Sequence, residues 1–230
     1  MTNRLAFCAV TLCLGAGSAF ADLVSLGPVS LGGQGLGSVT TVLTMQSPGG
    51  STIESGCVGA GVGGVTVTGS TKCVSGNAGG NEQAINDAVS AASLGLTDFN
   101  NLRIIFNASE PGSDSINLDK LALSLWNPAT GTLIDAKNLP AGIVFPSTNP
   151  GVGNAGFGFK LDSTQAGIEN SLLAMFPNLY IGLSATASDA TGGLETFSIG
   201  AVQAVPEPAS YAVTGLAFAA LIMLRRRTAH

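Results

Sequence analysis

Ile116, Leu118, Leu121, Leu123 and Leu125 run toward Trp126 along one long strand-like segment, and this segment constrains the fold more than any other. A strand with a buried face needs lateral partners and a second layer to cover that face. Asn127-Pro128-Ala129-Thr130-Gly131 supplies a turn, and residues 132–135 return from it, which predicts a hairpin. The same rhythm recurs along the chain. Residues 23–31 and 38–45 read as strands separated by Gly32-Gly33-Gln34-Gly35, and 65–68, 102–106, 156–161, 180–186 and 194–202 read as further strands. Alternation places Phe157, Phe159 and Leu161 on one face, and Phe197, Ile199 and Ala201 on another. Residues 46–64 read as turn-rich.

Two segments change to helical spacing. In residues 82–93, Ala84, Ile85, Ala88, Val89 and Ala92 form an apolar stripe, with Asn81 placed to cap it. In residues 164–176, Ile168, Leu172, Leu173, Met175 and Phe176 are apolar, Ser163 is the expected cap, and Pro177 stops the helix. Roughly eight to ten short strands with two short helices predict a mainly β fold. The expected architecture is an antiparallel β-sandwich of jelly-roll type, filling residues 22–204.

The two ends are built differently. Residues 1–21 carry one positive charge, Arg4, then an apolar stretch, then Ala19-Phe20-Ala21. This is the pattern of a secretory signal peptide with small residues at the cleavage site, and cutting after Ala21 leaves Asp22 first. At the other end, Val205-Pro206-Glu207-Pro208-Ala209-Ser210 leads into the uncharged apolar residues 211–224 and then Arg225-Arg226-Arg227. As a helix this run spans about 21 Å, short of the roughly 30 Å hydrocarbon core and equally the length of a buried core helix. Its surroundings favour a transmembrane helix. The prolines stop any helix upstream, and the arginines hold the cytoplasmic side while their stems let a short helix fit.

A Pro-Glu-Pro tripeptide, one short apolar helix and a terminal arginine cluster resemble the PEP-CTERM sorting signal of exported proteins in Gram-negative bacteria. The resemblance covers residues 205–230 alone. It implies Pro206, Glu207 and Pro208 as the motif read by exosortase, a membrane protease-transpeptidase, and residues 225–230 as the basic tail. It implies passage through the Sec machinery and signal peptidase, a transient stay in the inner membrane with the domain in the periplasm, and delivery to the cell surface or extracellular matrix. Proteins with such tails occur in bacteria that make exopolysaccharide and biofilm. The resemblance is silent on what residues 22–204 do.

Charge narrows that question. The whole chain carries −5. Within residues 22–204 the only cations are Lys72, Arg103, Lys120, Lys137 and Lys160, set against thirteen acids, a net of −8. Such a domain offers no footprint for nucleic acid or anionic lipid. Cys8 and Cys13 fall in the signal segment, leaving Cys57 and Cys73 as an even pair in an oxidising compartment. A disulfide between them is expected to restrain Gly59-Ala60-Gly61-Val62-Gly63-Gly64, read as part of a flexible excursion. A redox or metal pair would need a nearby His or a third Cys.

The single histidine is His230, in the basic tail, so the domain has none. That removes histidine general acid–base catalysis, Ser-His-Asp and Cys-His nucleophiles, and zinc sites needing imidazole. Paired carboxylates remain for glycoside hydrolysis, with Asp114 and Asp119, or Asp189 and Glu195, as candidates. Acids beside Gly, Ser and Asn are otherwise turn formers. Structural calcium needs only oxygen ligands. Asp98, Asn100 and Asn101, or Ser113, Asp114, Ser115, Asn117 and Asp119, could supply some, without EF-hand or β-roll spacing. Trp126, the only tryptophan, stands at a strand end where an exposed ring could stack on sugar or a buried ring could seal the rim. The expected function is that of a non-enzymatic surface or matrix protein without cofactor; a carbohydrate-binding module and a carboxylate-based hydrolase are the alternatives.

Overall fold

The computed structural model describes residues 22–30, 39–46, 51–68, 81–82, 87–108, 115–146, 155–191 and 194–202. In chain order these form β1 (Leu23–Ser30), β2 (Thr40–Gln46), β3 (Glu54–Ala60), β4 (Thr66–Thr68), β5 (Asn81–Glu82), β6 (Val89–Ser90) and β7 (Leu102–Asn107). There follow β8 (Ser115–Asn127), β9 (Thr132–Asn138), β10 (Ile143–Pro146), β11 (Ala155–Leu161), helix α1 (Ser163–Met175), β12 (Tyr180–Ser188) and β13 (Glu195–Ala201). The strands make two antiparallel sheets. The first runs β1-β11-β7-β13-β2-β5; the second runs β10-β8-β12-β3-β4, with β9 beside β8 and β6 beside β12.

The long leucine-bearing segment is the spine of the second sheet. β8 pairs with β12 from Trp126 opposite Tyr180 to Asn117 opposite Ser188. On its other edge, β10 covers its first residues and β9 returns from the expected hairpin to cover its last. Ile116, Leu118, Leu121, Leu123 and Leu125 are all buried, as their spacing requires. Phe157, Phe159, Leu161, Phe197 and Ile199 are buried from the first sheet. Phe145 of β10 joins the layers: its ring lies 4.3 Å from Phe157, 5.7 Å from Phe106 and 5.9 Å from Phe159. Phe106 in turn stacks on Phe197 at 4.7 Å. Tilted and edge-on rings at these separations add a little beyond simple burial.

Two expectations fail for physical reasons. Part of the turn-rich stretch, residues 54–60, is β3, and every residue of it is buried. Its two glycines and one serine hide any apolar period yet fit a strand covered on both faces. Gly59 is the clearest case, because a Cβ there would meet Trp126 Cζ2 at 2.6 Å. The helix expected over residues 82–93 is also absent where the chain is described. Glu82 ends β5, Val89 and Ser90 form β6 opposite Ile181 and Tyr180, and residues 91–95 are a turn. β3 pairs only Leu183 to Ala187 of β12, so the edge beyond was open, and strand pairing overrode helical spacing.

The second expected helix is α1, within a residue of its predicted bounds. Its cap is Asp162 rather than Ser163: one carboxylate oxygen accepts from the amides of Thr164 at 2.9 Å and Gln165 at 3.0 Å. Among the described residues no helix is long and apolar enough to cross a membrane. The signal segment with Arg4, Ala19 and Ala21, the sorting tail with Pro206, Glu207, Pro208 and Arg225 to Arg227, and Cys73, Ser113 and Asp114 lie outside the described residues.

Candidate functional site

Among the described residues, a buried charged cluster lies where α1 meets the edge of the second sheet. Asp162 caps α1, and Ala166 and Glu169 are the two buried residues of the helix. Leu172, Leu173 and Phe176 pack partly buried on the same core. Glu169 therefore occupies an apolar stripe and has no exposed surface. Facing it from β9 is Lys137, whose side chain is only 10% exposed, with Asp135 two residues back on the same side of the strand. Lys137 Nζ lies 3.0 Å from Asp135 Oδ2 and 3.2 Å from Glu169 Oε1. The second contact is an ion-pair distance without hydrogen-bond geometry, and Glu169 Oε2 has no hydrogen-bond partner.

The three groups pull each other's protonation in different directions. Burial pushes Glu169 up to about 7, the neighbouring Asp135 charge adds to the rise, and attraction to Lys137 offsets only part of it. Asp135 also suffers from burial, yet hydrogen bonds from Lys137 and from the Ala136 amide, at 2.7 Å, hold it below the usual carboxylate range. For Lys137 burial opposes the charge, but its two acids win and keep it above the ordinary lysine value. At neutral pH the cluster thus tends toward one ammonium, one carboxylate and one shared or protonated carboxyl. Glu169 is sealed and Lys137 is divided between two acids, so the arrangement suits a tie between elements better than an attack on a substrate.

The residues singled out from sequence are placed elsewhere and otherwise employed. Asp98 caps the short 3-10 turn Phe99–Asn101; its Oδ1 accepts from the Asn100 amide and Asn100 Nδ2, both at 2.8 Å, and from Asn170 Nδ2 at 2.7 Å. Asn170 Oδ1 accepts from the Phe99 amide at 2.7 Å, which closes a staple between this turn and α1. These bonds, led by the Asn100 amide, hold the Asp98 carboxyl below its ordinary value. The oxygen expected to face calcium faces amides. In the other candidate set, Asp119 Oδ1 accepts from Asn117 Nδ2 at 2.7 Å. No cluster of three or more His, Cys, Asp or Glu suited to a metal occurs among the described residues.

Trp126 is 4% exposed: its ring covers Gly59 and its Nε1 donates to Ser124 Oγ at 2.8 Å. Stacking on sugar requires an open ring face, so of the two readings of Trp126 burial fits the ring that seals the rim. Asp189 is exposed at a turn with φ of +61°, whereas Glu195 has no exposed surface, so these two acids do not line a common cleft. The glycine-rich excursion is a built corner where it is described. Gly63 donates to the Pro128 carbonyl at 2.7 Å, and Gly64, at φ +77°, lies against the Tyr180 ring. Cys57 is disulfide-bonded, its partner lying outside the described residues.

Sequence reading missed the Asp135–Lys137–Glu169 cluster, although one signal was present. Glu169 falls three residues after Ala166 and three and four before Leu172 and Leu173, an acid inside a helical apolar stripe. No protein-family model, curated protein or solved structure gives a significant match to this chain.

Proposed function

We propose that this chain is a non-enzymatic surface or matrix protein. In this reading it is exported through the Sec route, held briefly by residues 211–224, and released after exosortase acts at Pro206, Glu207 and Pro208. The observation that carries the reading is the Pro-Glu-Pro, apolar and tri-arginine order of the tail. Two features support it. The disulfide on Cys57 fits an oxidising compartment, and Cys73 is its expected partner. The described sandwich is fastened at Val202, whose amide donates to the Asn101 carbonyl at 2.8 Å, leaving a short connection to Pro206. The jelly-roll type is proposed on the same footing, because the chain crosses from one sheet to the other at β7–β8, β10–β11 and β12–β13. Association with exopolysaccharide follows from the company such tails keep.

The test is fractionation of the native host with and without its exosortase, followed by intact mass. Protein from the normal host should begin at Asp22, lack residues 211–230, and show no free thiol when denatured without reductant. Glu207→Ala should accumulate in the inner membrane with Arg225 to Arg227 still attached. Normal maturation of that variant, or of the wild type without exosortase, would reduce the tail to an ordinary anchor.

A further inference from the structure

We propose that the Asp135–Lys137–Glu169 cluster is an acid-closed latch, which fastens α1 across the join between the two sheets and loosens it as the surroundings turn alkaline. The argument starts from position. On one side α1 packs against β11 and the Phe99–Asn101 turn, which belong with the first sheet. On the other side its Glu169 forms an ion pair with Lys137 of β9, on the edge of the second sheet. The latch is therefore a buried contact between layers, closed while Glu169 is neutral and disfavoured once it ionises.

Charge counting gives its direction. Two carboxyls share one ammonium, and Glu169 has no exposed surface and an Oε2 with no hydrogen-bond partner. If both acids are ionised, one negative charge is left without water or a second cation, which is costly in a buried site. A proton on Glu169 removes that charge and leaves Lys137 to Asp135. Among the described residues, the charges on neighbouring elements do not compensate. Asp98 is committed to Asn100 and Asn170, Asp162 to the amides of Thr164 and Gln165, and Asp22 Oδ2 to the Asn138 amide. The Arg103 guanidinium is held by the carbonyls of Asn100 and Leu102. Lys160, on β11, alternates with the buried Phe159 and Leu161 and so projects from the opposite face. Moving α1 outward is the remaining way to hydrate Glu169. That motion would uncover Ala166, Leu172, Leu173 and Phe176.

The sign is definite. Glu169 is raised from 4.5 to about 7, so its contribution to holding α1 is complete below 4.5 and is lost as pH rises through 7. Hydrogen exchange on the purified full-length chain, corrected for intrinsic pH dependence, reads the latch directly. Between pH 5.5 and 8.5, protection of α1 amides should fall on the order of thirtyfold, while β8 and β12 keep theirs. Glu169→Gln should abolish the α1-specific fall. Lys137→Met should move its midpoint to higher pH, and Asp135→Asn to lower pH. Equal pH profiles for wild type and Glu169→Gln would overturn the proposal. Should Glu169→Gln not fold, a Lys137→Met midpoint that stays or falls would overturn it equally.

Discussion

Two of the contacts that hold the layers of this protein together use opposite kinds of chemistry. At the phenylalanine joint, Phe145 reaches across to Phe106, Phe157 and Phe159, and none of these rings carries a titrating group. At the α1 corner, Lys137 reaches Glu169 at 3.2 Å, and the strength of the contact depends on one proton. Apolar contact is non-directional and indifferent to pH. A buried ion pair adds little net stability because desolvation offsets most of its attraction. The comparison shows how one sandwich can have a permanent seam and a conditional one.

The largest expected effect is at the permanent seam. Phe106→Ala should cost about 3 to 5 kcal/mol, as large-to-small changes in dry cores do, and equally at pH 5.5 and 8.5. Denaturant unfolding at both pH values checks this; a loss that varied with pH would break the distinction. The next effect is at the conditional seam. Wild-type stability should fall by about 2 kcal/mol between pH 5.5 and 8.5 on account of Glu169, and Glu169→Gln should remove that slope whatever its own baseline stability. The smallest effect concerns the Asp162 cap at the start of α1. Asp162→Ala should cost about 1 kcal/mol, seen as a lower melting temperature with the pH slope kept. Loss of the slope would mean that the cap, rather than packing of Leu172, Leu173 and Phe176, sets the rotation of α1.

Local pattern alone determined much of this protein. The leucine spacing of β8, the 127–131 turn with its returning strand, the Phe-bearing faces of β11 and β13, and α1 were all legible, because period and turn chemistry are properties of neighbouring residues. The rest was decided only by tertiary structure. β3 shows no apolar period, since it is buried on both faces and its Gly59 answers to Trp126, a residue distant in sequence. Val89 and Ser90 became a strand because β12 had an open edge to offer, a fact belonging to the sheet rather than to residues 82–93. Trp126 went inside, and Asp98 was taken by Asn100 and Asn170, because partners brought by the fold satisfied them. The charge cluster is the extreme case. Asp135 and Lys137 could be placed on one face from sequence, but Glu169 meets them only once α1 lies across the sandwich. Desolvation, which makes its proton consequential, comes from that long-range packing.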